Sequence, residues 1–285
     1  MRLSRRAKII IAILVVLALL PVGLVYGLFR YVNDTSVPVA DSLLPDDGPK
    51  KLLAIFAHPD DEITVAGSLR RMSEQDGSEL TLAYLTRGEA ADVPKQSPQE
   101  LAGRRTVEVD DARKELGVDH LELFDYPDGG LPAVDPAGPE KVISDLVDKY
   151  RPTVVISFDE KIGFYGHEDH AQVGRWVADV MRERRAEAGF PVQRYYQATL
   201  PQSMIKVAKQ LSPTFQERYP DDPALGLPAP TVAMSIVSAG ARKRAALDAH
   251  VSQTGILQAV QPGYDQLPSW IYFRILSREY FTRIF

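Results

Sequence analysis

LLAIFAHPDDE, residues 52–62, decides the fold. Six consecutive apolar residues, Leu52 to Ala57, lack the alternation of a half-wet strand. Continuous apolar runs of this length belong to strands buried on both faces, which is the habit of parallel sheets. The run ends abruptly in His58 and Pro59, followed by Asp60, Asp61 and Glu62. One reading of the acids is capping, since carboxylates are favoured in a helix's first turn by its free N–H groups and dipole. The other is a metal half-site, because open α/β sheets bind ligands outside the carboxyl ends of their strands.

Working outward, strand-length apolar runs alternate with helical patterns. ITVAGSLRRM (63–72) places Ile63, Ala66, Leu69 and Met72 on one helical stripe, with Gly77 as a stop. LTLAYLT (80–86) predicts a second strand, and residues 98–116 a helix stopped by Gly117. LELF (121–124) and TVVISF (153–158) predict strands, with a helix at 140–150 between them and another over 168–185. RYYQATL (194–200) and TVAMSIV (231–237) predict later strands, and ARKRAALDAH (241–250) a late helix. Residues 200–230 are Pro-rich and read as loops. The expected class is α/β, a Rossmann-like, mostly parallel sheet with helices on both faces.

Before this domain lies IIIAILVVLALLPVGLVYGLF, residues 9–29, which carries no charge. At 1.5 Å per residue it spans a hydrocarbon core of about 30 Å. Four basic residues precede it and Arg30 follows, so the positive-inside rule puts the N-terminus in the cytoplasm and the domain outside. A cleaved signal peptide is the competing reading, but its apolar region is usually shorter and an A-x-A site is missing here. The organisation expected is a basic cytoplasmic tail at 1–8, a transmembrane helix at 9–29, a linker at 30–49 and one domain at 50–285.

Composition narrows the chemistry. The 285 residues contain no cysteine, which excludes disulfides, thiolate metal sites and thiol catalysis. Residues 1–33 hold five of the 33 basic residues and no acid, so the rest carries 28 basic against 38 acidic residues, a net of −10. An acidic domain argues against a nucleic-acid partner. The five histidines are His58, His120, His167, His170 and His250.

GFYGHEDH (163–170) is a second half-site. Like the first, it follows a strand and opens a helix. Three of the five histidines, with Asp60, Asp61 and Asp169, therefore meet at one edge of the sheet. His58, Asp61 and His170 would give two imidazoles and a carboxylate, a catalytic zinc pattern with an open position. Asp60 would stand free beside the metal as a general base. The same ligand set suits non-haem iron oxygenases, which have no use for a second adjacent acid. Other readings are a phosphoesterase, which often takes two metals and more carboxylates, and a surface glycan-binding protein without catalysis.

AHPDDE (57–62), LTRGEA (85–90), RTVEVDDARKELGV (105–118), YPDGGL (126–131), GHEDH (166–170) and RKRAALDAHVSQ (242–253) resemble, in this order, the PIG-L/LmbE-like zinc-dependent N-acetylglucosaminyl deacetylase family. The resemblance is close over about 51–175 and looser at 240–253, and REYF (278–281) echoes a family strand. It implies zinc (Zn2+) held by His58, Asp61 and His170, with Asp60 as general base. It implies that His167, protonated, polarises the substrate carbonyl and assists proton transfer, and that Asp169 orients a histidine. Arg105 matches a substrate-contacting arginine, and Asp128 lies in a loop that lines the sugar pocket. The partners implied are an N-acetylated sugar and, through residues 9–29, a membrane. Glu168 stands where many members have proline. On residue chemistry alone, Arg105 could instead pair with Glu108 on the helix surface, His120 is structural, and His250 lies near the site or at its own helix end.

Overall fold

The computed structural model describes residues 4–91, 93–94 and 96–285. Among these, eight strands form one sheet: β1 (Val39–Ala40), β2 (Lys50–Phe56), β3 (Ser78–Tyr84), β4 (His120–Leu123), β5 (Val154–Ser157), β6 (Arg194–Thr199), β7 (Val232–Ser235) and β8 (Arg278–Arg283). Their spatial order is β1-β7-β8-β6-β5-β2-β3-β4. β4, β3, β2, β5 and β6 are parallel to their neighbours in that run. The chain winds outward from β2 to β4, then returns to the other side of β2 with β5 and β6. The order reverses between β2 and β5, and crevices for ligands open at such a point. The mostly parallel sheet expected from the apolar runs is present, and β8 adds an antiparallel strand between β6 and β7.

The helices are α1 (Arg5–Val32), α2 (Ala66–Ser73), α3 (Pro98–Leu116), α4 (Ala137–Tyr150), α5 (Gly163–Gly166), α6 (Glu168–Arg184), α7 (Gln202–Leu211), α8 (Pro213–Arg218), α9 (Gly240–Ala249), α10 (Thr254–Val260) and α11 (Ser269–Ile275). Strand geometry sends alternate residues of β2 into two cores. Leu52, Ala54 and Phe56 pack with Leu69 and Met72 of α2 and Val109 and Ala112 of α3. Leu53 and Ile55 pack on the other face with Ile143 of α4 and Trp176, Val177 and Met181 of α6. Both faces are covered, which explains why β2 carries no polar alternation.

α3 begins and ends where its sequence signals put it. Ser97 and Glu100 form a reciprocal capping box, Pro98 occupies the first turn, and Gly117 closes the helix at φ 70°. The region at 200–230 differs from the expected loops, because it contains α7 and α8. Pro201 precedes α7 and Pro213 sits in the first turn of α8, where proline costs a helix nothing.

The expected linker at 30–49 is also more ordered than its polar composition suggests. α1 continues to Val32, β1 pairs with β7, and Val37, Leu43 and Leu44 are buried. α1 is an apolar helix near the N-terminus, long enough to cross a membrane, with a mean hydropathy of 3.0 over its most apolar window. Its end is bonded to the domain. Asn33 Nδ2 donates to the Ile275 carbonyl at 2.6 Å, and Ser203 Oγ donates to the Val32 carbonyl at 2.7 Å.

Candidate metal centre and catalytic groups

His58 stands two residues beyond β2, and Asp61 opens a short 3-10 turn, Asp61–Thr64. His170 lies in the first turn of α6, which follows β5. The switch point therefore brings the two half-sites together across the gap between β2 and β5. His58 Nδ1 is 3.2 Å from His170 Nε2, and His170 Nε2 is 3.1 Å from Asp61 Oδ1. His58 Nδ1 is 3.6 Å from Asp61 Oδ2. Donors bound tetrahedrally to zinc at about 2.0–2.2 Å stand roughly 3.3–3.6 Å apart; the two ring nitrogens and the Asp61 carboxylate, which meets His170 through Oδ1 and His58 through Oδ2, lie at or slightly inside that spacing.

Asp61 and Glu62 fill the first turn of this 3-10 helix, and Glu62 accepts the Asp60 N–H, as the capping reading expects. The Asp60 side chain itself makes no cap bond. Asp61 instead turns back, and its Oδ2 accepts N–H bonds from Ala57 at 3.1 Å and His58 at 2.8 Å. Burial works against ionising Asp61, but His170 and His58 outweigh it and hold its carboxyl well below the usual range.

His58 presents its other nitrogen to two carboxylates. Nε2 is 2.9 Å from Asp128 Oδ1 and 3.2 Å from Asp169 Oδ2. Burial lowers the His58 pKa, yet Asp128, Asp169 and Asp61 together carry it well above the ordinary value. Asp169 is fixed in turn by the N–H groups of Gly129 at 2.7 Å and Leu131 at 3.1 Å. His58, Asp128 and Asp169 are close enough to form a donor set of their own. His58, His167 and His170 are close enough to form another. Asp169 and Asp128 both face His58 Nε2, and backbone N–H bonds hold the two carboxylates in place.

Asp128, expected to line the sugar pocket, is bonded to the metal centre's His58. Its Oδ1 faces His58, and its Oδ2 accepts the Ala90 N–H at 2.7 Å. Burial raises its pKa, but His58 and that N–H pull it down to about 2. Arg105, expected to contact substrate, is bonded to Asp60. It is 3% exposed and its Nη2 lies 2.9 Å from Asp60 Oδ1. Its other donors reach the Gly88 and Pro59 carbonyls. The alternative surface pair belongs to Arg104, which bonds Glu108 at 3.0 Å. Gly88 makes the approach possible, since a Cβ there would sit 2.2 Å from the Arg105 guanidinium.

Asp60 has φ 129°, a backbone conformation that L-residues rarely adopt. Such strain persists only where its surroundings enforce it. Burial raises the Asp60 pKa to about 6, opposed by Arg105 and assisted by Asp61. The group enforcing the backbone is Glu62, whose Oε2 accepts the Asp60 N–H at 3.1 Å and the Tyr84 hydroxyl at 2.7 Å. Glu62 Oε1 lies 2.6 Å from His250 Nε2, and both residues are fully buried. Sequence reasoning gave Glu62 and Tyr84 no role and left His250 undecided. His120 is remote from the centre, 3.3 Å from Glu79 near the surface.

His167 completes the cluster. Its ring stacks on His170 with centroids 4.4 Å apart and meets His58 edge-on at 5.0 Å. Burial, reinforced by His170 and His58, lowers its pKa to about 3, which runs against the protonated imidazole expected there. Its Nδ1 is buried without a hydrogen-bond partner among the described residues. Gly163, at φ 59°, lets the loop lie against α6, because a Cβ there would meet the Ala171 nitrogen at 2.3 Å.

Known proteins resemble this chain in sequence and in fold. A model of the PIG-L family, described as GlcNAc-PI de-N-acetylase, matches residues 53–181. A 1D-myo-inositol 2-acetamido-2-deoxy-alpha-D-glucopyranoside deacetylase from Kineococcus radiotolerans is 30% identical over 262 residues, covering 76% of this chain and 72% of its own. A protein of the same name from Nakamurella multipartita is 29% identical over 277 residues, covering 81% and 90%. Among solved structures, N,N'-diacetylchitobiose deacetylase from Pyrococcus horikoshii superposes with a TM-score of 0.58. It is 20% identical and covers 82% of this chain and 84% of its own, a likeness of fold.

Proposed function

The chain belongs to the PIG-L family, and we propose that it is a zinc-dependent N-deacetylase of an N-acetylglucosamine-type sugar. The observation that carries this reading is the trio of donors from His58, Asp61 and His170 at zinc spacing, with Asp60 beside them and outside the trio. Zinc, when bound, supplies Lewis acidity and acidifies water. The chain's own residues supply the rest. Asp60, aimed by Arg105, takes the proton from the attacking water. His167 offers its neutral imidazole to the acetyl carbonyl, an electrostatic role of the oxyanion-hole type. Asp169 and Asp128 hold His58 and do not touch the substrate. The proton taken up by Asp60 passes to the nitrogen as the C–N bond breaks, and acetate and a free amino sugar result.

We read α1 as a retained single-pass anchor with the domain on the extracytoplasmic side. The basic residues before the apolar run support that orientation. Retention is supported by the bonds from Asn33 to Ile275 and from Ser203 to Val32, which cleavage behind the helix would disrupt. The substrate would then be an envelope glycan or glycolipid. Zinc-loaded full-length protein, incubated with a panel of N-acetylglucosaminides, should release acetate from at least one. Release from none, at one zinc per chain, contradicts the deacetylase. Protease digestion of the domain in intact cells tests the topology separately.

A further inference from the structure

The domain grips α1 before its apolar run is over. From Ile9 to Leu24 the described apolar side chains of α1 stand exposed. Val25 and Phe29 are then half-buried, and Val32 is buried. Spaced four and three apart, they form one helical stripe. Val32 shares a cluster with Met204 of α7, and Leu276, just after α11, packs against it. The Arg278 guanidinium lies 5.8 Å from the Phe29 ring. The uncharged run ends at Phe29. α7 and α11, which both pack on α1, therefore meet it at the level where it would leave the hydrocarbon.

Between α7 and α11 lies a cavity of about 160 Å³. Its walls include Met204 and Leu211 of α7, Val260 of α10, Tyr272 and Phe273 of α11, and Val32 of α1. An apolar cavity of about 150 Å³ stays dry and takes benzene, so this one has room for roughly six carbons. None of His58, Asp60, Asp61, His167 and His170 lines it, which separates it from the metal centre. Lys243 and Glu279 are in its wall, but they pair with each other at 2.7 Å, and Glu279 also accepts the Gly67 and Ser68 N–H groups. Tyr272 is different. It is 4% exposed, and its hydroxyl has no hydrogen-bond partner among the described residues. Leu211 is 61% exposed and stands at the mouth. Trp270, also on α11, is 63% exposed, with the Arg274 guanidinium 5.9 Å from its ring. Exposed tryptophan beside a basic side chain is a habit of membrane–water boundaries.

We propose that this cavity takes the ester end of an acyl chain from a lipid of the bilayer, the rest of the chain running down beside α1. A lipid's ester groups lie at the edge of the hydrocarbon, which is the level of α7 and α11. The first carbons of the chain would fill the apolar walls, and the ester carbonyl would give the Tyr272 hydroxyl its missing acceptor. The lipid is a neighbour that fixes the domain on the membrane, not the substrate. The proposal rests on the reading of α1 as a retained anchor.

The full-length protein in phosphatidylcholine vesicles is photolabelled with phosphatidylcholine carrying a diazirine either beside the ester or at the chain end. Mass spectrometry locates the labelled residues. Neither lipid carries a sugar, so neither is a deacetylation substrate. The chain-end probe should label the middle of α1, and the ester-side probe should label Met204, Tyr272 or Phe273. Ala208→Phe narrows the cavity, in whose wall Ala208 stands. Leu211→Glu puts a charge at its mouth and leaves the buried residues alone. Each should cut the cavity label several-fold without changing the α1 label. A labelled α1 beside an unlabelled cavity overturns the proposal. So does a cavity label that survives both substitutions, since the lipid would then only touch the surface. An unlabelled α1 contradicts the anchor reading and takes this proposal with it.

Discussion

Asp60 Oδ1 lies 2.9 Å from Arg105 Nη2, and both side chains are almost entirely enclosed. Arg105 also bonds the carbonyl of Pro59, so it holds both the base and the backbone that aims it. Replacing it leaves a buried carboxylate without its counter-charge, which costs about 3–5 kcal/mol where a buried pair is broken. Arg105→Gln should lower the urea midpoint accordingly and reduce kcat more than it raises KM. A variant that raises KM alone would return Arg105 to the substrate-contacting role suggested by family resemblance.

The two adjacent acids should separate cleanly. Asp60→Asn is expected to keep one zinc per chain and to lose turnover by about 10²–10⁴-fold, the range for a general base. Asp61→Ala should lose zinc as well, since its carboxylate faces His170 and His58. Metal analysis beside a rate measurement checks both. Equal zinc loss in the two variants would make Asp60 a ligand.

Asp169 acts through His58. Removing such a support typically weakens metal affinity by about 10–100-fold. Asp169→Asn should show that loss in competition with a chelator. At saturating zinc it should recover more activity than Asp60→Asn does. No change in zinc affinity would detach Asp169 from the metal.

Glu62 ties three distant segments to the base: its own turn, Tyr84 from β3, and His250 beyond α9. Glu62→Ala leaves the Asp60 N–H and the Tyr84 hydroxyl without their acceptor, at about 1–3 kcal/mol for a buried unsatisfied group. It should also relax the φ 129° conformation of Asp60. Glu62→Gln keeps an acceptor for both donors and should retain most of kcat. If Ala and Gln variants of equal stability turn over alike, Glu62 has no positioning role.

The features legible in sequence were those carried by adjacent residues. β2 was legible because a strand covered on both faces needs no polar alternation. α3 was bounded by its own capping box and glycine. That His58, Asp61 and His170 lie together was legible because each ends a strand or opens a helix at the same sheet edge. Arg105 and Asp128 were harder, because their partners come from loops far away in the chain. Asp128 stands 70 residues after His58, and only the fold brings its Oδ1 to the ring. His250 lies 188 residues from Glu62, and no local pattern links them. α7 and α8 were hidden by prolines that mark a helix start as readily as a loop.

The most direct test is a zinc titration of the apo-protein, following acetate release from the best N-acetylglucosaminide. Activity should rise in proportion to zinc, stop at one equivalent per chain, and stay about 10²–10⁴-fold lower in Asp60→Asn at every zinc level. Acetate release that survives complete metal removal would contradict the zinc-dependent mechanism. So would a requirement for two equivalents, which would move the chemistry to a two-metal site.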